Sequence, residues 1–184
     1  MTHFRLVHAG LDVGPIVSQL DAQPELFDEF PERRLVEGTP FAEMRDIHVR
    51  YLPRDDLTPP ADPRTPKDLR FYPAWYRLPA LHPVVWALMS TLRAVEMGGI
   101  LITRLPAGGR MLPHIDNGWH PRRFDTKAHL TLRANARCIV RVEEEEAVFR
   151  PGEIWTYPND VEHEISNGGT TERLVVIMCL RTEP

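Results

Sequence analysis

Residues 151–167 read PGEIWTYPNDVEHEISN and residues 173–180 read RLVVIMCL, and these two stretches decide the architecture. The first is a turn at Pro151-Gly152, a strand-like run Ile154–Tyr157, a second turn at Pro158-Asn159-Asp160, and a further run, Glu164–Ser166, opened by His163. The second alternates, with Leu174, Val176 and Met178 on one face and Arg173, Val175, Ile177 and Cys179 on the other. Outward from there the same grammar repeats. Strands are expected at Ile100–Leu105, Ala128–Arg133, Cys138–Glu143 and Ala147–Phe149. They are punctuated by Pro106-Ala107-Gly108-Gly109, Asn135 and Asn167-Gly168-Gly169. Many short strands at short intervals predict a mainly β fold, a sandwich or jelly roll with a helix packed on one side. The acidic run Glu143–Glu146 reads as a solvated hairpin end.

The first half is irregular and rich in proline. A short helix is expected within residues 11–23, with Asp12 as its cap and Gly14-Pro15 confining its start. Asp46 to Leu52 alternates like a strand, and residues 53–68 form a polar, proline-studded loop of the length used for lids. Residues 83–97 have helical spacing, with Val85, Leu88, Met89, Leu92 and Val95 on one face and Gly98-Gly99 as the stop. We expect one domain over 1–184, in which 1–99 cover and support a core at 100–181.

Composition narrows the function classes. Hydrophobic residues make up 42% and charged residues 26% of the chain, the ordinary globular range. A formal charge of −4 gives no basic excess for nucleic acid, and no apolar run approaches the length that spans a bilayer. The N-terminus does not read as a signal peptide. Cys138 and Cys179 each lie in an apolar run, as buried reduced thiols do, so a cytoplasmic protein is expected.

The residues that suggest chemistry begin with His114-Ile115-Asp116. On an extended segment, positions i and i+2 share a face, so an imidazole and a carboxylate converge. Among eight histidines and 26 acids such a pair also arises by chance, as a surface His and Asp after a turn. His163, placed between a turn and a strand, adds a second imidazole. Two imidazoles and one carboxylate with open positions opposite suit iron(II) chemistry with oxygen. Arg173 shares a strand face with Val175 and Ile177, and a buried guanidinium needs a bidentate partner such as a carboxylate. An internal salt bridge would serve as well.

The ordered combination ITRLPAGGRMLPHID, AHLTL, RPGEIWTYPNDVEHEISN and ERLVVIMCL, from Ile102 to Leu180, resembles the aspartyl/asparaginyl β-hydroxylase family of iron(II)/2-oxoglutarate-dependent oxygenases. That family also includes some free-proline hydroxylases. The first hundred residues match loosely, through features such as IHVRYLP. The resemblance implies a cupin-like double-stranded β-helix, with His114, Asp116 and His163 as ligands of Fe(II). It also implies that Arg173 grips 2-oxoglutarate, assisted by His129 and by Lys127, which stands where the family commonly has arginine. O2 is then the other co-substrate, and a C–H bond of the substrate is hydroxylated while 2-oxoglutarate gives succinate and carbon dioxide. The family's animal members lack the carboxylate ligand, which this chain keeps as Asp116.

For the substrate, Trp119, His120, Arg122 and Arg123 follow the H-x-D segment, and Arg45, Arg50, Tyr51, Trp75 and Arg77 come from the irregular half. Several arginines would suit a carboxylate-bearing small molecule or peptide, and solvated surface arginines are the plainer reading. By resemblance the expected reaction is hydroxylation of the Asp or Asn β-carbon in a peptide or protein, with a free amino acid such as proline as the alternative. Two rivals come from other classes: a non-oxidative cupin-like metalloenzyme and a metal-free binding module.

Overall fold

In chain order the elements are β1 (Arg5–His8), α1 (Gly14–Asp21), a 3-10 turn at Pro24–Asp28, α2 (Glu32–Leu35), β2 (Arg45–Tyr51), β3 (Arg70–Phe71), α3 (Pro73–Arg77) and α4 (Leu81–Thr91). Then follow β4 (Ala94–Leu105), β5 (Arg110–His114), α5 (Trp119–Arg123), β6 (Thr126–Arg133), β7 (Cys138–Val142), β8 (Glu145–Ala147), β9 (Ile154–Thr156), β10 (His163–Asn167) and β11 (Arg173–Thr182). They come from a computed structural model that describes residues 2–54, 62, 65, 67–117 and 119–182, without the side chain of Trp119. Most of the 53–68 loop, and with it the lid reading, lies outside the described residues.

Two antiparallel sheets face each other, one of seven strands in the order β1-β9-β6-β11-β4-β2-β3 and one of four in the order β5-β10-β7-β8. This is the mainly β, double-stranded β-helix architecture expected, with helices on one flank. Strand β11 pairs with β4 on one side and β6 on the other, and its first eight residues are buried. Such a strand needs cover on both faces. On the outer face Leu174, Val176, Met178 and Leu180 join Ile47, Ile100, Ile102 and Leu130. This layer packs under Ile16 and Leu20 of α1 and Leu81, Val85 and Leu88 of α4. Each such side chain contributes roughly 1.5–3 kcal/mol on burial. Between the sheets a second cluster gathers Met44, Leu105, Met111, Val140, Val142, Phe149 and Ile165. The alternation of RLVVIMCL therefore separates a helix-covered layer from the interior of the sandwich.

The expected helix over 83–97 ends at Thr91. Arg93 takes φ +51°, and the chain leaves as β4, which runs straight through Gly98-Gly99. These glycines therefore mark close approach rather than a stop. A Cβ on Gly98 would lie 2.8 Å from the Cys179 carbonyl oxygen and 2.9 Å from the Phe124 ring. Gly98→Ala is expected to destabilise the protein by about 1–3 kcal/mol, as overpacking does. Thermal denaturation would record this as a Tm lower by about 2–12 °C at this chain length. An unchanged Tm would show that β4 and β11 can separate there without cost.

Strands β1, β3 and β5 have no counterpart among the sequence expectations. Glu143 and Glu144 form the β7–β8 turn as expected of a hairpin end, but β8 begins at Glu145 rather than Ala147. There the Glu145 carboxylate accepts from the Thr2 hydroxyl at 2.9 Å and the His3 N–H at 3.0 Å. Cys138 and Cys179 are free and buried. No helix among the described residues is long and apolar enough to cross a membrane.

Candidate metal centre

Strand pairing sets the site. β5 and β10 run antiparallel with His114 opposite His163, so their imidazoles rise from one face of the four-stranded sheet, ring centroids 4.4 Å apart. Asp116 lies two residues past the end of β5, where its N–H donates to the Asn159 carbonyl at 2.9 Å. One donor atom from each of His114, Asp116 and His163 lies within 4.8 Å of the others. His114 Nδ1 is 2.9 Å from the Leu112 carbonyl oxygen and His163 Nδ1 is 3.0 Å from that of Val161. A carbonyl only accepts, so each Nδ1 donates to it and each Nε2 is turned into the site, the orientation a metal ligand requires. Burial pushes His163 below the ordinary histidine range, against the Val161 hydrogen bond. Burial alone would raise the Asp116 carboxyl. The hydrogen bond from His114 and the charge of Lys127 prevail and hold it well below the usual range. Two imidazoles and a carboxylate so arranged can hold a divalent ion such as iron.

The opposite wall belongs to the seven-stranded sheet. Register places Thr131 beside Val175, His129 beside Ile177 and Lys127 beside Cys179, so Lys127, His129, Thr131 and Arg173 share the inward face. Arg173 and His129 are each 2% exposed. Arg173 Nη2, both ring nitrogens of His129 and Thr131 Oγ1 are buried with no hydrogen-bond partner. Burial lowers the Arg173 pKa, and the groups acting on it among the described residues are Tyr157 and Cys138, not a carboxylate. Unsatisfied buried donors are costly, and this set is the one that a ligand carboxylate satisfies. His129 stacks on Tyr157 at 4.4 Å, and Tyr157 meets His163 edge-on at 5.7 Å. An unbroken run of rings thus joins the two walls. Lys127, on that same face, reaches the Asp116 carboxylate, with Nζ 2.5 Å from Oδ2.

A cavity of about 170 Å³ adjoins Asp116 and Lys127 and is lined also by Gly99, Leu101, Ile177, Cys179, Tyr51 and His120. Of the residues named for substrate, His120 and Tyr51 reach this cavity. The Gly99 N–H donates to His120 Nε2 at 3.2 Å, and burial lowers the His120 pKa to about 4. Five others are engaged elsewhere. Arg50 Nη1 donates to the Met97 and Gly98 carbonyls at 2.6 and 2.9 Å. Trp75 stacks on His82 at 3.9 Å and belongs to the helix-side core. Arg45 pairs with Asp28, Arg77 with Glu25 and Glu29, and Arg123 with Glu96. Arg122 is exposed on α5, and the Trp119 side chain lies outside the described residues. Sequence reasoning misses Arg33 and Phe41, which line the same cavity. They come from the irregular half, where no periodic pattern points inward.

Residues 74–182 match the family model described as aspartyl/asparaginyl beta-hydroxylase, while no curated protein matches the chain. Among solved structures, a Trichoplax adhaerens prolyl hydroxylase in complex with a hypoxia inducible factor peptide fragment aligns with TM-score 0.62 at 13% identity, over 97% of this chain and 83% of that one. A Burkholderia pseudomallei oxidoreductase of the 2OG-Fe(II) oxygenase family gives 0.61 at 11%, over 97% and 84%. A Pseudomonas putida prolyl-4-hydroxylase gives 0.53 at 13%, over 99% and 94%. At such identities these likenesses speak for the fold alone. The family match covers more than half of the chain, and the protein therefore belongs to the aspartyl/asparaginyl β-hydroxylase family of iron(II)/2-oxoglutarate-dependent dioxygenases.

Proposed function

We propose that the protein hydroxylates an amino-acid side chain, first the β-carbon of Asp or Asn within a peptide, with His114, Asp116 and His163 holding Fe(II) and Arg173 and His129 gripping 2-oxoglutarate. The observation that carries this reading is buried Arg173 and His129, whose Nη2 and ring nitrogens lack hydrogen-bond partners, facing a three-ligand cluster. A non-oxidative metalloenzyme or a metal-free module leaves that pair without a role. When bound, the iron supplies oxygen activation coupled to oxidative decarboxylation of 2-oxoglutarate to succinate and carbon dioxide.

The chain's own part is positioning. The Leu112 and Val161 carbonyls turn both Nε2 atoms into the site, and Lys127 holds Asp116 by Oδ2, leaving Oδ1 on the side of the two imidazoles. Leu101 and Ile177 present apolar surface beside it and exclude water. A peptide is favoured because the 170 Å³ cavity shares Arg33 and Tyr51 with a second one of about 350 Å³, lined also by His48, Arg54 and Tyr72. The small inner cavity favours a second reading, a free amino acid such as proline. We take 1–184 as one domain, since β2 and β3 complete the larger sheet, and the cytoplasm as its compartment, since both thiols are unpaired.

Protein purified without a histidine tag, given Fe(II), 2-oxoglutarate and air, is expected to form succinate slowly with no other substrate. A chelator should abolish the reaction and Fe(II) restore it. Fully metallated protein that neither binds 2-oxoglutarate nor forms succinate would overturn the reading.

A further inference from the structure

We infer that Arg33 is the receptor for a carboxylate of the substrate, so that the enzyme selects a substrate that carries this carboxylate over one in which it is an amide. The inference rests on the function proposed above and concerns a residue outside the part of the chain that matches the family model.

Arg33 stands where the two cavities meet, lining both. Its side chain is 23% exposed, and Nε lies 3.1 Å from Oδ2 of Asp46, which is 4% exposed. The guanidinium carbon sits 3.8 Å over the Phe41 ring, and Phe41 meets the His114 ring edge-on at 4.9 Å. One aromatic ring therefore separates the guanidinium from a proposed metal ligand. Asp46 lies on the Nε side as an ion-pair contact that leaves Nε without a hydrogen bond, Phe41 covers one face, and Nη2 contacts the Met44 sulfur at 3.9 Å. A thioether is a weak acceptor, so the Nη edge keeps its capacity for an oxyanion. A fork held on two sides is pre-organised for a planar anion and loses little entropy on binding.

The surroundings agree. Asp46 Oδ1, His48 Nε2 and Thr103 Oγ1 are buried without hydrogen-bond partners. Asp46 pairs in register with Thr103, and His48 with Leu101, on the same inward face. Polar atoms left open beside a held guanidinium are what a polar side chain with its flanking amides would complete. The other charges around the two cavities are already paired, Glu32 with Arg54 and Asp116 with Lys127. Arg33 is thus the cation placed to take a new anion. Its ligand is a carboxylate, supplied by an Asp side chain or by a peptide C-terminus.

The test uses three peptide pools, randomised at flanking positions. Two are acetylated and amidated with a central Asp or a central Asn, and the third has central Ser and a free C-terminus. Succinate formation is read relative to each protein's own peptide-free rate. With wild type, the Asp pool is expected to exceed the Asn pool by about tenfold in kcat/KM, the scale of a charge-assisted pair. Stimulation by the Ser pool alone would assign the C-terminus as the carboxylate source. In Arg33→Met with Asp46→Leu, which leaves no buried unpaired charge, the preference should fall to within about twofold. Arg33→Lys should keep part of it and raise KM more than it lowers kcat, because a point charge replaces the fork. An undiminished Asp preference in either variant overturns the inference. So does wild type that no carboxylate pool stimulates, while continued peptide-free succinate would then leave the oxygenase reading standing.

Discussion

Arg173→Met is expected to give a ligand-free protein at least as stable as the parent and unable to hold 2-oxoglutarate. A guanidinium that is 2% exposed, with Nη2 unsatisfied, bears the desolvation cost of a buried charge without an ion-pair partner among the described residues. Replacing such groups by apolar side chains of similar reach is neutral or stabilising, by about 1–4 kcal/mol. The neighbours Val175 and Ile177 offer the methionine an apolar wall. Binding should move the other way. Losing charge-assisted hydrogen bonds costs about 1.5–3 kcal/mol, roughly ten- to hundredfold in affinity, and succinate formation should fall with it. Thermal denaturation without ligand and a titration with 2-oxoglutarate read the two effects separately. A large drop in Tm with affinity intact would make Arg173 a structural residue and remove the co-substrate site.

The second large effect belongs to His163→Ala. This imidazole is 2% exposed and is aimed by the Val161 carbonyl, so its loss removes a pre-oriented Nε2 and leaves His114 and Asp116 alone. Removing residues that merely orient ligands weakens metal sites about 10–100-fold. Loss of a ligand should therefore weaken Co(II) binding by at least about 100-fold and take succinate formation to background. Some loss of stability is expected too, because contacts with Tyr157 and His114 disappear. Co(II) absorbance measured on the folded variant keeps that separate from the metal effect. A variant that binds Co(II) as tightly as the parent would mean that His163 is not a ligand.

Local pattern carries part of this site and long-range packing the rest. The H-x-D pair, His163 and the inward face of RLVVIMCL are legible because strand alternation is a two-residue rule. The same rule puts Lys127 and His129 on the inner face, yet says nothing of what each touches, and Lys127 meets Asp116 across the gap between sheets. The glycines at 98 and 99 read as a helix stop because their reason, the crowding by Cys179, Phe124 and His120, lies far along the chain. Arg50 and Trp75 look like site residues by type alone, and their partners, two carbonyls and His82, belong to other segments. Arg33 and Phe41 lie in a stretch with no period, where only the folded chain brings them to His114.

The proposed metal ligands His114 and His163 grow from the smaller sheet, and the proposed grip of Arg173 and His129 from the larger. A dicarboxylate held at both ends would therefore be a strut between the two leaves of the sandwich. Whatever binds only the native state adds to its stability by mass action. On the proposed reading, the lifetime of this protein in a cell becomes tied to nutrient supply: scarcity of the metabolite would hasten its turnover, and abundance would preserve it.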